Sequence, residues 1–285
     1  MAGTFLDSLT EQYNTLTRSG KKLANYIFSH ASETQYLSIS ALAENCGVSE
    51  ASITRFCRSL GLSGYNELKL SLAKSMYTNE FGDCLDAPQT VTPQDTPDTT
   101  RKKLHDAYII SLNETMEQLN DYDLDRAVDI LYNAKNVYCF GQGGSMVMAM
   151  EAWARFTTIT PKFVHISDSH LQVMTTSLCT KDEAILFFSY SGTTREVVEI
   201  LHLAKEHNVP IILVTHFAKS EAAALADVVL LCGYNENPLQ GGSIATKMGL
   251  LFIIDCLYYG YCRRRSDLYS SARTTTAQAL SRNLP

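Results

Sequence analysis

The chain has no apolar run long enough to span a bilayer. Its most apolar stretch, Met248 to Tyr259, is too short and is broken by Asp255. The start, Met-Ala-Gly-Thr-Phe-Leu-Asp, has no basic segment leading into an apolar one, so no signal peptide is expected. Together these predict a cytoplasmic protein with no membrane partner. Eight cysteines are present, at 46, 57, 84, 139, 179, 232, 256 and 262, but none form a Cys-x-x-Cys pair. Most sit in apolar runs and read as small buried hydrophobes, so neither a structural metal nor a disulfide framework is expected. No cofactor is implied. Repeats and low-complexity tracts are also missing.

An excess of positive charge is lacking too. The net charge is −6 over 285 residues. Its distribution is more telling, because residues 1–79 carry a balance of +1 and the remainder −7. The N-terminal part is therefore the better candidate for meeting phosphates. The length suits two domains. Between them, Thr78 to Thr100 gathers Pro88, Pro93 and Pro97 among Thr, Asp and Gln, and reads as a linker without a helix. The expected division is residues 1–77, a linker over 78–100, and residues 101–285.

Apolar spacing before the linker is helical, with Leu23, Ile27 and Phe28 marking one face, and no strand pattern stands out. After the linker, helices are expected near Arg101–Leu119 and Leu124–Asn133. Strands then follow at Asn136–Phe140, Lys162–His165, Ala184–Ser189, Pro210–Val214 and Val228–Leu231. Helical patterns alternate with them, near Met146–Thr158, Asp168–Thr176, Thr194–Glu206 and Ser220–Ala226, ending in a long one, Ser243–Tyr261. Alternating β and α, with strands apolar throughout, predicts a five-stranded parallel sheet covered by helices on both faces.

Ser38 to Gly61 carries the pattern of a helix-turn-helix. Ala43 is small enough for close helix approach, Gly47 suits a turn with positive φ, and Leu42, Cys46, Val48, Ile53 and Phe56 fall where the helices would face each other. Ser49 is an N-cap candidate and Gly61 a stop. A helix from Ser49 would present Ser52, Arg55 and Arg58, with Ala51 and Thr54 beside them, to base edges and phosphates. Lys69 in the next helix is a candidate backbone contact. A three-helix bundle used for protein contacts is the plainer alternative.

Two loops of the second part suggest an anion site. Phe140-Gly-Gln-Gly-Gly-Ser145 follows the first strand but has Met146 where a dinucleotide fingerprint needs glycine, and no Walker lysine. Phe188-Ser-Tyr-Ser-Gly-Thr-Thr-Arg195 is sharper. Ser189, Ser191, Gly192, Thr193 and Thr194 sit between a buried strand and a helix, where hydroxyls and free N–H groups can hold a phosphate. Gly143, Gly144 and Ser145 would form a second wall, and Ser243 after Gly241-Gly242 a third. Plain helix capping by Ser191 or Thr193 would need only one hydroxyl.

The Val48–Gly61 segment, followed by Gly-Gln-Gly-Gly-Ser and Ser-Tyr-Ser-Gly-Thr-Thr, resembles the RpiR-type bacterial transcription regulators, which join a helix-turn-helix to a SIS (sugar isomerase) domain. The resemblance runs from about Leu16 to Tyr261. It implies binding of a double-stranded DNA operator, and a phosphorylated sugar or amino sugar held by Ser145, Ser189, Ser191 and Thr194. It also implies a homodimer or homotetramer. It departs at Gly242, where many relatives carry an acidic residue, and at Ser40-Ala41, where an early acidic residue is missing and a less well capped helix start is expected. The rival reading is a sugar-phosphate isomerase carrying a DNA-binding module. That chemistry needs a placed acid/base, for which His165, His170, His216, Glu151 and Glu236 are the candidates. No pair among them has a compelling spacing, and the expectation is a regulator, not an enzyme. The Arg263–Arg265 run reads as a solvated helix end.

Overall fold

The computed structural model describes residues 5–77, 91–233 and 243–282. The chain divides into two compact units, with the break between Asp106 and Ala107.

The first unit is helical. Its helices are α1 (Phe5–Gln12), α2 (Arg18–Ser29), α3 (Ala31–Thr34), α4 (Ile39–Cys46), α5 (Glu50–Ser59) and α6 (Tyr65–Tyr77), with a 3-10 turn at Tyr13–Thr15. Leu9, Leu23, Ala24, Ile27, Leu42, Ile53, Phe56, Cys57, Leu68 and Leu72 form its core. Phe28 does not join Leu23 and Ile27: it is 41% exposed, and Ala24 takes the inner position. One residue past Ile27 is a rotation of about 100°, enough to leave the buried stripe. Cys46 and Val48 are only partly buried against this core. The α4–α5 turn is made by Gly47, at φ 59°, the left-handed conformation that a Cβ disfavours. The start of α4 needs no acidic residue, since Ser38 accepts from the Ala41 N–H at 3.0 Å. Glu50, from the start of α5, accepts from the Ser40 hydroxyl at 2.6 Å. The expectation of a weak cap there is corrected.

The linker reading also changes. Residues 91–96 are irregular, but Pro97–Gln118 is helix α7, so the last four residues of the expected linker are its first turn. Thr96 Oγ1 accepts from the Thr99 N–H at 3.2 Å. Proline at the first helical position loses an N–H that has no helical partner anyway. The part of the linker over 78–90 lies outside the described residues.

The second unit is built on α8 (Asp121–Asn133), β1 (Val137–Gly141), α9 (Gly144–Thr157), β2 (Phe163–His165), α10 (Ser169–Leu178), β3 (Ala184–Phe188), α11 (Arg195–Glu206), β4 (Ile211–Thr215), α12 (Glu221–Leu225), β5 (Val228–Leu231), α13 (Ile244–Arg264) and α14 (Ser266–Ser281). All five strands run parallel in the order β2-β1-β3-β4-β5. Side chains alternate across the sheet. Cys139, Leu186 and Val214 meet α8, α9 and α13 on one face, whereas Phe140, Phe187 and Leu213 meet α11 and α12 on the other. Burial on both faces is why these strands are apolar throughout. Helix α14 has no counterpart in the expected elements. Its sequence, SDLYSSARTTTAQALS, has no apolar stripe to mark it. The arginine run is not simply solvated: Arg263 reaches Asp125 at 3.0 Å, Arg264 pairs with Asp125 and Asp129, and Arg265 lies 5.9 Å from the centre of the Tyr132 ring. Among the described residues no helix is long and apolar enough to cross a membrane. The seven described cysteines are free thiols.

Replacing Gly47 by alanine keeps the helices but forces a Cβ into the left-handed region. A loss of about 1–2 kcal/mol is expected, read as a lowered urea midpoint for the helical unit. An unchanged midpoint would show that this turn is not the constraint on α4 and α5.

Candidate functional site

In the helical unit α5 is the exposed helix of the turn motif. Ser49 caps it, its Oγ accepting from the Ser52 N–H at 3.3 Å and lying 2.9 Å from the Ser52 hydroxyl. Such a cap contributes about 1 kcal/mol. Ala51, Arg55 and Arg58 are exposed, and Ser52 and Thr54 are half-exposed. Arg55 Nη2 donates to Ser52 Oγ at 3.2 Å, and the Thr54 hydroxyl donates to the Glu50 carbonyl at 3.2 Å. Lys69 is different. It is partly buried on α6, with its ammonium 5.9 Å from the centre of the Tyr65 ring. Burial lowers its pKa, because a desolvated ammonium is less stable.

In the second unit the two hydroxyl-rich loops meet. Strands β1 and β3 are neighbours, with Gly141 paired to Phe188, so Gln142–Ser145 and Ser189–Thr194 leave the same edge of the sheet side by side. The strand order reverses between β1 and β3, the place where parallel sheets open a crevice for ligands. Ser189 is buried, Ser191 and Thr193 are half-buried, and Thr194 is exposed. Ser191 Oγ accepts from the Thr193 N–H at 3.4 Å and from its hydroxyl at 3.3 Å.

Helix capping does not account for these hydroxyls. Helices α8, α10, α12 and α13 are capped by the side chains of Asn120, Asp168, Ser220 and Ser243. Helices α9 and α11, which leave β1 and β3, begin at Gly143 and Thr194 with no side-chain cap. Two positive helix ends therefore stand at one sheet edge without a side-chain acceptor at their caps, a setting that favours an anion, although in α9 the Ser145 and Met146 N–H groups already donate to the Gln142 and Gly143 carbonyls at 3.0 and 3.2 Å. Ser243 has a role of its own as the α13 cap, accepting from the Thr246 N–H at 3.1 Å. Gly241 and Gly242 lie outside the described residues.

Two glycines make the approach possible. A Cβ on Gly141 would stand 2.6 Å from the Ser145 carbonyl oxygen, and one on Gly192, which has φ +61°, 2.6 Å from Ser220 Cβ. The sequence reading missed the supporting residues. Gln172 is fully buried and donates to the carbonyls of Gly141 and Ile166, at 3.4 and 2.7 Å, holding the glycine loop from α10. Gln142, inside the loop, has a buried Nε2 without a hydrogen-bond partner. Tyr190 stacks on His216, centroids 5.2 Å apart, and its carbonyl accepts from the Thr215 hydroxyl at 3.0 Å. Nothing but position marks such residues in a sequence.

The acid/base candidates are not gathered. His165 Nδ1 donates to the Cys139 carbonyl at 3.1 Å and His216 Nδ1 to that of Cys232 at 2.9 Å. Glu151 and His170 are exposed on α9 and α10, and Glu236 lies outside the described residues. Among the described residues no group of three or more His, Cys, Asp or Glu side chains is arranged to hold a metal ion.

Two family models match the chain, a helix-turn-helix domain of the rpiR family over residues 3–79 and a SIS domain over residues 130–258. The HTH-type transcriptional regulator HexR of Pseudomonas aeruginosa is 32% identical across 91% of this chain and 90% of its own length. This chain belongs to the RpiR-type regulators. An HTH-type regulator of Haemophilus influenzae aligns over 98% of the chain and 97% of its own length at 29% identity. Among solved structures, the Vibrio vulnificus NanR protein complexed with ManNAc-6P superposes with a TM-score of 0.81, at 25% identity over 99% of both chains. The sugar isomerase domain of an RpiR transcription factor from Sphaerobacter thermophilus shares the fold, with a TM-score of 0.57 at 20% identity over 64% of this chain and 98% of that one. The regulator is thus a helix-turn-helix transcription factor with a SIS domain.

Alanine at Gly141 or Gly192 would overfill a tight backbone approach. Each change is expected to cost about 1–3 kcal/mol, seen as a lower melting temperature of the full chain. A variant melting with the wild type would mean that the loop tolerates a side chain there.

Proposed function

We propose that this regulator binds operator DNA through α5 and is controlled by a phosphorylated sugar or amino sugar held between Gln142–Ser145 and Ser189–Thr194. The observation that carries the reading is the pair of neighbouring helix ends, at α9 and α11, that lack side-chain caps beside a cluster of hydroxyls. A phosphate group offers oxygens to helix ends that no side chain caps and to the hydroxyls beside them. The unpartnered Gln142 Nε2 adds a donor for a ligand oxygen. That NanR was solved with ManNAc-6P supports this class of ligand.

The division of labour, a reader within residues 1–77 and a sensor from residue 101 on, is part of the proposal, as is work in the cytoplasm. So is self-association. Val147, Met150 and Trp153 on α9 and Leu171, Val173, Met174 and Leu178 on α10 are exposed apolar side chains, on the helices before and after the edge strand β2. Exposed apolar side chains on the two helices that flank an edge strand suit a protein contact, and a symmetric homo-oligomer would present two readers to a palindrome with half-sites about one helical turn apart. Sugar binding then shifts operator affinity through a coupling of ~1–3 kcal/mol. The isomerase reading is not adopted. His165 and His216 are tied to separate carbonyls, and full-length relatives are named as regulators.

A thermal-shift panel of phosphorylated sugars and amino sugars, ManNAc-6P included, should raise the melting point for the effector. Calorimetry with the Ser189→Ala/Ser191→Ala variant should then show its affinity lowered by at least about tenfold, since hydrogen bonds to a charged group contribute ~1.5–3 kcal/mol each. Undiminished affinity would overturn the loop assignment. Turnover of hexose 6-phosphates by the purified protein should be absent; sustained isomerisation would restore the enzyme reading.

A further inference from the structure

The helical unit contains a cleft of about 380 Å³ between the inner flank of α5 and the start of α2. Ser52, Arg55 and Ser59 line it from α5, and Thr17, Ser19 and Gly20 from α2. Among the described residues, Arg55 is the one charged side chain in the lining, which contains no carboxylate. A Cβ on Gly20 would crowd Leu16 Cβ and Thr17 Oγ1, each at 3.3 Å, while the Phe56 ring would lie at an ordinary contact distance of 3.5 Å.

Four outer residues of α5 fall on two stripes. At about 100° per residue, Ala51 and Arg58 share the outward stripe, and Ser52 and Ser59 share another about 100° round, toward the cleft. Arg55 stands between them. Its guanidinium turns to the cleft side, donating to Ser52 Oγ at 3.2 Å, and Ser52 is in turn held 2.9 Å from Ser49 Oγ.

From this geometry we infer that Arg55 does not read bases: with the hydroxyls of the cleft it seats a DNA backbone phosphate, leaving Ala51, Thr54 and Arg58 to face base edges. The inference rests on the proposal that this unit binds DNA, and it divides that surface into a positioning part and a specifying part. A neutral hydroxyl partner leaves the positive charge of Arg55 uncompensated, and a cleft without carboxylates adds no repulsion against a phosphodiester. A guanidinium already bent back to its own helix by Ser52 is poorly placed for the straight, two-pronged reach to guanine that base reading requires. Fixing the phosphate beside α5 sets the register in which Arg58 enters the groove.

The test uses the full-length protein, a duplex it selects from a random-sequence pool, and a scrambled duplex of equal length, over a series of salt concentrations. Arg55→Ala should weaken binding to both duplexes by a similar factor, about tenfold, and reduce the slope of log K against log[salt] by about 0.9, one phosphate's share. Arg55→Lys should retain most of the affinity for both, because a point charge serves a phosphate and not a guanine pair. Arg58→Ala should instead lower the preference for the selected duplex. A loss confined to the selected duplex in Arg55→Ala, an unchanged salt slope, or failure of Arg55→Lys on the selected duplex alone would overturn the inference while leaving DNA binding in place. Wild-type protein that selects no duplex would overturn DNA binding itself, and this assignment with it.

Discussion

The close approach of neighbouring turns to the two glycines at the carboxyl edge of the sheet is the constraint on which the second unit depends. Gly141 meets the first turn of α9, and Gly192 meets Ser220 at the start of α12; neither position has room for a side chain. Because the chain turns so tightly there, α9 and α11 begin within a few residues of the ends of the neighbouring strands β1 and β3, and both begin without a side-chain cap. Hydroxyl side chains at 189, 191, 193 and 194 collect at that point without being used as caps. The electrostatic character of the crevice then follows from helix ends and dipoles rather than from any charged residue. On the proposed reading, an acidic chain offers a seat to an anion in this way.

The helical unit would meet DNA, as proposed, by different means. A core of Leu23, Ile27, Leu42, Ile53 and Phe56 holds α5 with its outer side free, and Gly47 and the Ser49 cap set where α5 begins. Here full charges matter, because a DNA backbone is wide and solvated and its attraction is long-ranged. A helix with one flank in a cleft and one facing out can separate positioning from reading, which a fully exposed helix cannot do.

The elements of the fold were largely legible because each has a local signal. The five strands appear as apolar runs of the right length, and the observed strands start or stop within a residue or two of those runs. The turn of the DNA-binding motif is marked by Gly47 and Ser49, whose roles are set by φ and by a side-chain cap within three residues. Where the signal was composition alone, the reading failed. Three prolines suggested a linker to residue 100, yet Pro97 is the start of a helix, since proline in the first turn costs nothing. Helix α14 has few apolar residues and gave no periodicity to follow. Phe28 was grouped with the core because it is apolar, though its angular position puts it outside.

Local pattern alone sets the class of each unit, the motif at 38–61, the hydroxyl loop at 189–194 and the family to which they point. These are properties of neighbouring residues and survive any rearrangement of the rest. Long-range packing placed β1 and β3 side by side, so that two loops about 45 residues apart share one edge, and left both α9 and α11 without side-chain caps there. It also decided that Gln172 braces the glycine loop, that Lys69 is partly buried over Tyr65, and that Arg55 and Arg58 point to different surroundings. Strand order and helix packing are set by which buried faces fit together over long separations, and no local pattern of residues encodes that.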